Sequence, residues 1–171
     1  MRNMMCVAVV AAAVAAAAMT TGARADEEKI ALDKLPKAVV EAAKKRFPKA
    51  ELVDAAKETD GDKVSYEVTA KDGETKMDLT FTPDGKLTTI EKRIDAKALP
   101  KAVADTLAEK YPKAVFKTVE EVIKVECEKE TLDYYEVLLT TADKKELEVQ
   151  LTADGKVKAT EEKKDESKKD E

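Results

Sequence analysis

The chain has 171 residues, with 31 Lys and Arg set against 36 Asp and Glu, a formal net charge of −5. That sign argues against nucleic acid, which is gripped by cations that neutralise phosphates, and against an anionic membrane surface. There is no His and no Trp, and Ser65 and Ser167 are the only serines, so a Ser-His triad, a Cys-His pair and a Cys/His zinc site are excluded.

Residues 4–19 (MMCVAVVAAAVAAAAM) are an apolar run behind the short positive start Met1-Arg2-Asn3, and Ala23-Arg24-Ala25 supplies a small-x-small pattern. The arrangement predicts an export signal, residues 1–25, cleaved after Ala25. The alternative, a membrane anchor, needs ~20 apolar residues; this run has 16 and is rich in Ala. Cys6 stands at the start of the run instead of closing it, so it is not a lipid-attachment cysteine. Cleavage leaves 146 residues with 29 basic and 36 acidic side chains, net −7. It also leaves Cys127 without a partner, so the fold must stand on its hydrophobic core and not on a disulfide.

Residues 26–34 (DEEKIALDK) read as a polar lead-in. Leu35, Val39, Ala43 and Phe47 then form a stripe at four-residue spacing, the mark of a helix with one apolar face. Pro36 fits the first turn, where its missing N–H costs nothing. Pro48 disfavours helical geometry in the residue before it and so ends the helix. Beyond it the period changes to two. Tyr66, Val68 and Ala70 alternate with Ser65, Glu67 and Thr69, and Met77, Leu79 and Phe81 alternate with Lys76, Asp78 and Thr80, as half-buried antiparallel strands do. Asp60-Gly61, Asp72-Gly73 and Asp84-Gly85 mark tight turns, because the turn needs positive φ angles that Gly tolerates.

The segment LPKAVVEAAKKRFPKA (35–50) returns as LPKAVADTLAEKYPKA (99–114), giving a second stripe of Leu99, Val103, Leu107 and Tyr111. Tyr135-Glu136-Val137 answers Tyr66-Glu67-Val68, and TADGK at 152–156 answers TPDGK at 82–86. The offset grows from 64 to 70, which puts insertions in the second copy, mostly within VFKTVEEVIKVECEKETLD. The reading is therefore α+β: two tandem repeats, 26–94 and 95–162, each one helix packed on an antiparallel sheet of about four strands. Phe47 and Tyr111 should be equivalent anchors, each buried against its own sheet. A unit of this size buries only ~60% of its surface alone, so the two should pack together or share one sheet. The charged tail 163–171 cannot offset the entropy of ordering and reads as disordered.

The L-P-x-A-V helix, the aromatic-Pro-x-A exit, the Y-E-V strand and the D-G-K hairpin together resemble the PepSY-like, or β-lactamase-inhibitor-like, family over roughly residues 30–162. The resemblance implies an exported, periplasmic or secreted, non-enzymatic domain that inhibits or regulates a secreted enzyme. It supplies no catalytic residue, no cofactor and no metal ligand. The family is also described after a β-lactamase inhibitory protein built from two such repeats; its disulfides have no counterpart here, which argues against a β-lactamase as target.

Three features bear on chemistry. Cys127 shares parity with Val119, Ile123 and Val125 and reads as a buried, inert thiol on the inner face of a strand; a reactive thiol would need exposure and a nearby cation such as Lys124 or Lys129. Asp60-Gly61-Asp62 lacks the frame and closing Glu of a calcium loop and reads as a turn. On the outer sheet faces, the first copy shows Ser65, Glu67, Thr69, Lys76, Asp78 and Thr80, an ordinary wet face. The second shows Tyr134, Glu136, Leu138 and Thr140 with Glu148 and Gln150, and Phe116 beside them. Tyr134, Leu138 and Phe116 are therefore the candidate partner-binding residues, for a protein partner and not for nucleic acid or a membrane. They serve equally as the seam where the two units pack. The function expected is a binding module, with a structural or small-ligand-binding envelope protein as the alternative.

The processing site is directly testable. The exported protein should begin at Asp26, and N-terminal sequencing that returns Met1 would refute the signal.

Overall fold

The computed structural model describes residues 26–163. The apolar N-terminal run and the charged tail from 164 onward lie outside the described residues, as do the expected signal and most of the expected disordered segment. In chain order the elements are β1 (Asp26–Lys29), α1 (Lys37–Arg46), β2 (Glu51–Asp60), β3 (Lys63–Asp72), β4 (Thr75–Phe81), β5 (Leu87–Arg93), α2 (Lys101–Lys110), β6 (Val115–Glu126), β7 (Lys129–Thr140), β8 (Glu146–Leu151) and β9 (Val157–Glu162). A short 3-10 turn precedes each helix, at Leu32–Lys34 and Ala96–Ala98. All nine strands lie in one antiparallel sheet in sequence order.

The helices form where the stripes and prolines put them. Pro36 caps α1, and its carbonyl accepts from the amides of Val39 (3.0 Å) and Val40 (3.2 Å). Phe47 leaves helical geometry at φ −126°, directly ahead of Pro48. Pro100 and Tyr111 do the same for α2. Leu35, Val39 and Ala43 bury against Val68, Leu79, Phe81 and Ile90; Leu99, Val103 and Leu107 bury against Val119, Val137, Val149 and Leu151. Phe47 and Tyr111 pack at the margins of these two cores and are only half-buried, not the buried anchors the stripes suggested. Their position at the helix exit leaves one ring face open, which Arg46 covers over Phe47 at 5.5 Å.

The two cores sit on the same side of the sheet, and strand pairing shows why. β5 and β6 pair with Ile90 opposite Ile123, Glu91 opposite Val122 and Arg93 opposite Glu120. Ile123 and Val125 pack into the first core while Val119, further back on the same strand, packs into the second. The β6–β7 hairpin, with 12-residue strands against 10 in β2 and β3, thus reaches across onto the first core.

Two sequence expectations are corrected here. Residues 26–29 are an edge strand paired to β2 from Asp26↔Thr59 to Lys29↔Ala56, because backbone pairing along an open edge needs no apolar side chains. Cys127 does not line a strand face: β6 ends at Glu126, and Cys127 and Glu128 form an exposed two-residue turn with φ 49° and 63°. Both angles are left-handed, as this tight hairpin turn requires, and no Gly or Asn advertised the turn. Asp60-Gly61-Asp62, by contrast, is the β2–β3 turn that was expected.

Three further turns share one device. In Thr82–Lys86, Thr141–Lys145 and Thr152–Lys156, the Thr hydroxyl donates to the Asp two residues on and accepts the Lys amide four residues on or lies beside its carbonyl. Lys144, at φ 66°, takes the place that Gly85 and Gly155 hold in the other two. Those glycines have a second reason. A Cβ on Gly85 would lie 2.6 Å from the Ala38 carbonyl oxygen, and one on Gly155 would lie 2.5 Å from that of Ala102.

Gly73 is also left-handed but faces open space. Gly73→Ala should therefore cost about 1 kcal/mol, the strain of its φ alone. Gly155→Ala should cost about 3 kcal/mol or more, because a helix backbone must move as well. Equal shifts of the urea midpoint for the two variants would refute the close helix approach.

Candidate functional site

With both helices on one face, the other face of the sheet carries no helix. Its side chains follow from register in three rows. Arg93, Glu120, Glu136 and Gln150 are successive neighbours across β5 to β8. Thr69, Asp78, Glu91, Val122 and Tyr134 cross β3 to β7, and Glu67, Thr80, Thr89 and Lys124 cross β3 to β6. The centre of the face is thus acidic, with an apolar pair at its side.

One oxygen from each of Glu91, Glu120 and Glu136 lies within 4.8 Å of the others. Burial and mutual repulsion push these acids toward their neutral forms. Glu91 rises to about 8, first through desolvation and then through the charges of Glu136, Glu67 and Glu120. Glu136 rises to about 7 through desolvation and Glu148, against the hydrogen bond that Gln150 Nε2 donates to it at 3.1 Å. Glu67 also rises to about 7, through desolvation and then Asp78. Glu120, 9% exposed, is pushed up by burial and held back by Arg93 at 3.7 Å. Glu91 has no hydrogen bond or ion pair among the described residues. Three carboxylates are donors of the kind hard divalent cations take, but Arg93 and Gln150 already engage two of them.

The apolar part of the face centres on Val122, which is 3% exposed although no helix covers it. Tyr134 lies opposite it in register, with Lys158 Nζ 4.4 Å from the ring centroid and bonded to Asp133 at 2.6 Å. Burial, then the charges of Glu136 and Glu91, hold the Tyr134 hydroxyl protonated far above its usual range. Leu138 follows on the same strand, between Thr118 and Glu148.

Tyr134 and Leu138 therefore share a face as expected, half-buried among neighbours rather than open. Phe116 does not join them. It pairs with Leu139 and packs into the second helix-side core, because a bulge between Phe116 and Thr118 shifts its parity. The seam reading for Tyr134 and Leu138 also changes, since the halves meet edge to edge through β5 and β6 and neither covers the other's face. The first half's outer face is not simply wet: Glu67 is half-buried, and Thr69 donates to Asp78 at 2.5 Å. Sequence reading missed Glu91 and Glu120 altogether. The available signal was an acid inside each of two apolar stretches, TTIEKR and TVEEVIKV, but only register brings them beside Glu136.

These features define an α+β protein whose single antiparallel sheet carries both helices on one face and an acidic, partly apolar surface on the other. The chain belongs to the PepSY-like family: the family model described as "Putative beta-lactamase-inhibitor-like, PepSY-like" matches residues 22–89 and 64–159, two overlapping segments as in a repeated family. Among solved structures, a "putative periplasmic" protein from Bacteroides eggerthii superposes with a TM-score of 0.61 at 19% identity, over 74% of this chain and 88% of that one. A "BLIP-like protein" from Bacteroides fragilis does so at 0.56 and 18%, over 77% and 89%. A "DUF2874 family protein" from Bacteroides uniformis gives 0.60 and 17%, over 74% and 88%. At these identities the likeness shows the fold. No curated protein matches the chain.

The raised acids make a pH prediction. Their folded values lie above their unfolded ones, so the native state holds more protons between about pH 4.5 and 8, and stability falls as pH rises through that window. The melting temperature should be higher at pH 6 than at pH 8 by at least about 3 °C, the shift that ~1 kcal/mol gives a domain of this size, since water still reaches these partly buried groups and weakens the full effect. Glu91→Gln with Glu136→Gln should flatten the slope. A flat wild-type profile, or a double variant with the full slope, would disprove the assignment.

Proposed function

We propose that this protein is an exported, non-catalytic binding module that holds a protein partner against the helix-free face of its sheet. The observation that carries this is the half-buried pair Tyr134 and Leu138, set beside the carboxyl groups of Glu91, Glu120, Glu136 and Glu148 on a face that no described element covers. An apolar patch rimmed by polar groups is the usual make-up of a protein interface. Blocking is steric in such a complex: the sheet face occupies the partner's surface, and inhibition of a secreted or envelope enzyme follows when that surface is an active-site entrance. The family supports this reading, and the likeness to the "putative periplasmic" protein of Bacteroides eggerthii supports the exported location. Among the described residues no helix is long and apolar enough to cross a membrane.

The same proposal takes the chain as two tandem units, 26–94 and 95–162. Paired details favour it. Pro36 and Pro100 cap their helices at φ −55° in both cases, and Gly85 and Gly155 each press on the carbonyl of the second residue after that proline.

The test is a double substitution, Tyr134→Ser with Leu138→Ser. A partner captured from the native secretome and confirmed by titration against the purified protein should bind the variant at least tenfold more weakly, as loss of a ~2 kcal/mol anchor implies, with the circular dichroism of the fold retained. A partner that binds wild type and variant equally would remove this face as the interface.

A further inference from the structure

A separate feature lies on the opposite side of the sheet, where the β6–β7 hairpin crosses onto the first core. Between that hairpin, the end of α1 and the β4–β5 turn is a groove of 540 Å³. Its apolar lining comes from Ala42, Leu87 and the edge of Val125 over the buried Phe81 ring, and its cations are Lys45, Arg46 and Lys86. The volume lies within the usual span of small-molecule sites, which combine apolar walls with a few placed polar groups. Among the described residues no hairpin follows β9, and none reaches over α2 as the β6–β7 hairpin reaches over the first core.

The charge of the groove opposes that of the chain. In a protein of net −5, three cations stand around one apolar cleft. Arg46 is paired with Glu130 and so ties the hairpin to α1. The nearby acid Glu126 is engaged by Lys124 at 2.7 Å. Lys45 and Lys86 have no carboxylate within ion-pair distance among the described residues, and Glu128 is the one acid in the lining. A low-dielectric wall beside unpaired cations concentrates their field on whatever anion enters.

We propose that this groove binds a small amphiphilic carboxylate, a free medium-chain fatty acid by chemistry, with its chain along Ala42, Leu87 and Val125 and its carboxylate between Lys45 and Lys86. The site is separate from the helix-free face and does not depend on the reading given to that face.

Isothermal titration of the purified protein with sodium decanoate, below its micelle-forming concentration, should show saturable one-to-one binding. Decanol, which lacks the carboxylate, and acetate, which lacks the chain, should each bind at least tenfold more weakly. Lys45→Glu with Lys86→Glu, both exposed positions, should weaken decanoate at least tenfold with the circular dichroism unchanged. Glu128→Lys should tighten it severalfold. Absence of saturable heat, equal binding of decanol, or indifference to the charge reversal overturns the proposal. So does a loss of binding in the Tyr134→Ser, Leu138→Ser variant, which would move the ligand to the other face. A dimer in sedimentation that dissociates on the charge reversal would assign the groove to a second copy of the chain and overturn it equally.

Discussion

The pairing of β5 with β6 is the constraint on which the rest of this structure depends. Alone, a helix with four strands leaves too much apolar surface in water and two open strand edges. Joining the inner edges removes both problems at once and leaves β1 and β9 as the edges. Both are short and carry charged residues, DEEK and VKATEE, which discourage further pairing. The antiparallel register also sets side-chain parity across the junction. Ile90 and Ile123 must share the face that holds the first core, so the two helices end on one side.

That parity has an electrostatic consequence. Glu91 precedes the junction, Glu120 follows it and Glu136 lies one strand further on; each is unremarkable in its own strand. Edge-to-edge joining places them side by side and partly buried, and among the described residues Arg93 is the one guanidinium paired with the group. A sheet built for stability alone would set Thr or Val in such positions, since like charges across strands are destabilising. The acids are a local conflict of the kind found at functional or strained sites.

The longer β6–β7 hairpin does a second job. By laying Ile123 and Val125 on the first core and pairing Glu130 with Arg46, it ties the halves together beyond backbone pairing. The crossing also makes the cleft beside α1, where Lys45, Arg46 and Lys86 stand, whereas the helix-free face is acidic at its centre.

What the sequence determined by itself was local. Proline before and after each helix, a stripe repeating every four residues, alternation in the strands and Asp-Gly at the turns each act within a few residues, so they could be read one segment at a time. Tyr134 and Leu138 were legible for the same reason, as odd members of an otherwise polar alternation. The Cys127-Glu128 turn was not, because hairpin pairing forced left-handed angles on residues that do not prefer them. The β1 strand was not, because an edge strand is defined by its neighbour's free backbone and not by its own side chains. Phe116 was misplaced by a single bulge, which no composition signals. The carboxylate group and the groove were decided only by tertiary structure, since each gathers residues from three or more elements. Such gatherings follow from which strand edges pair and in what register, and those choices minimise exposed surface over the whole chain instead of within any segment.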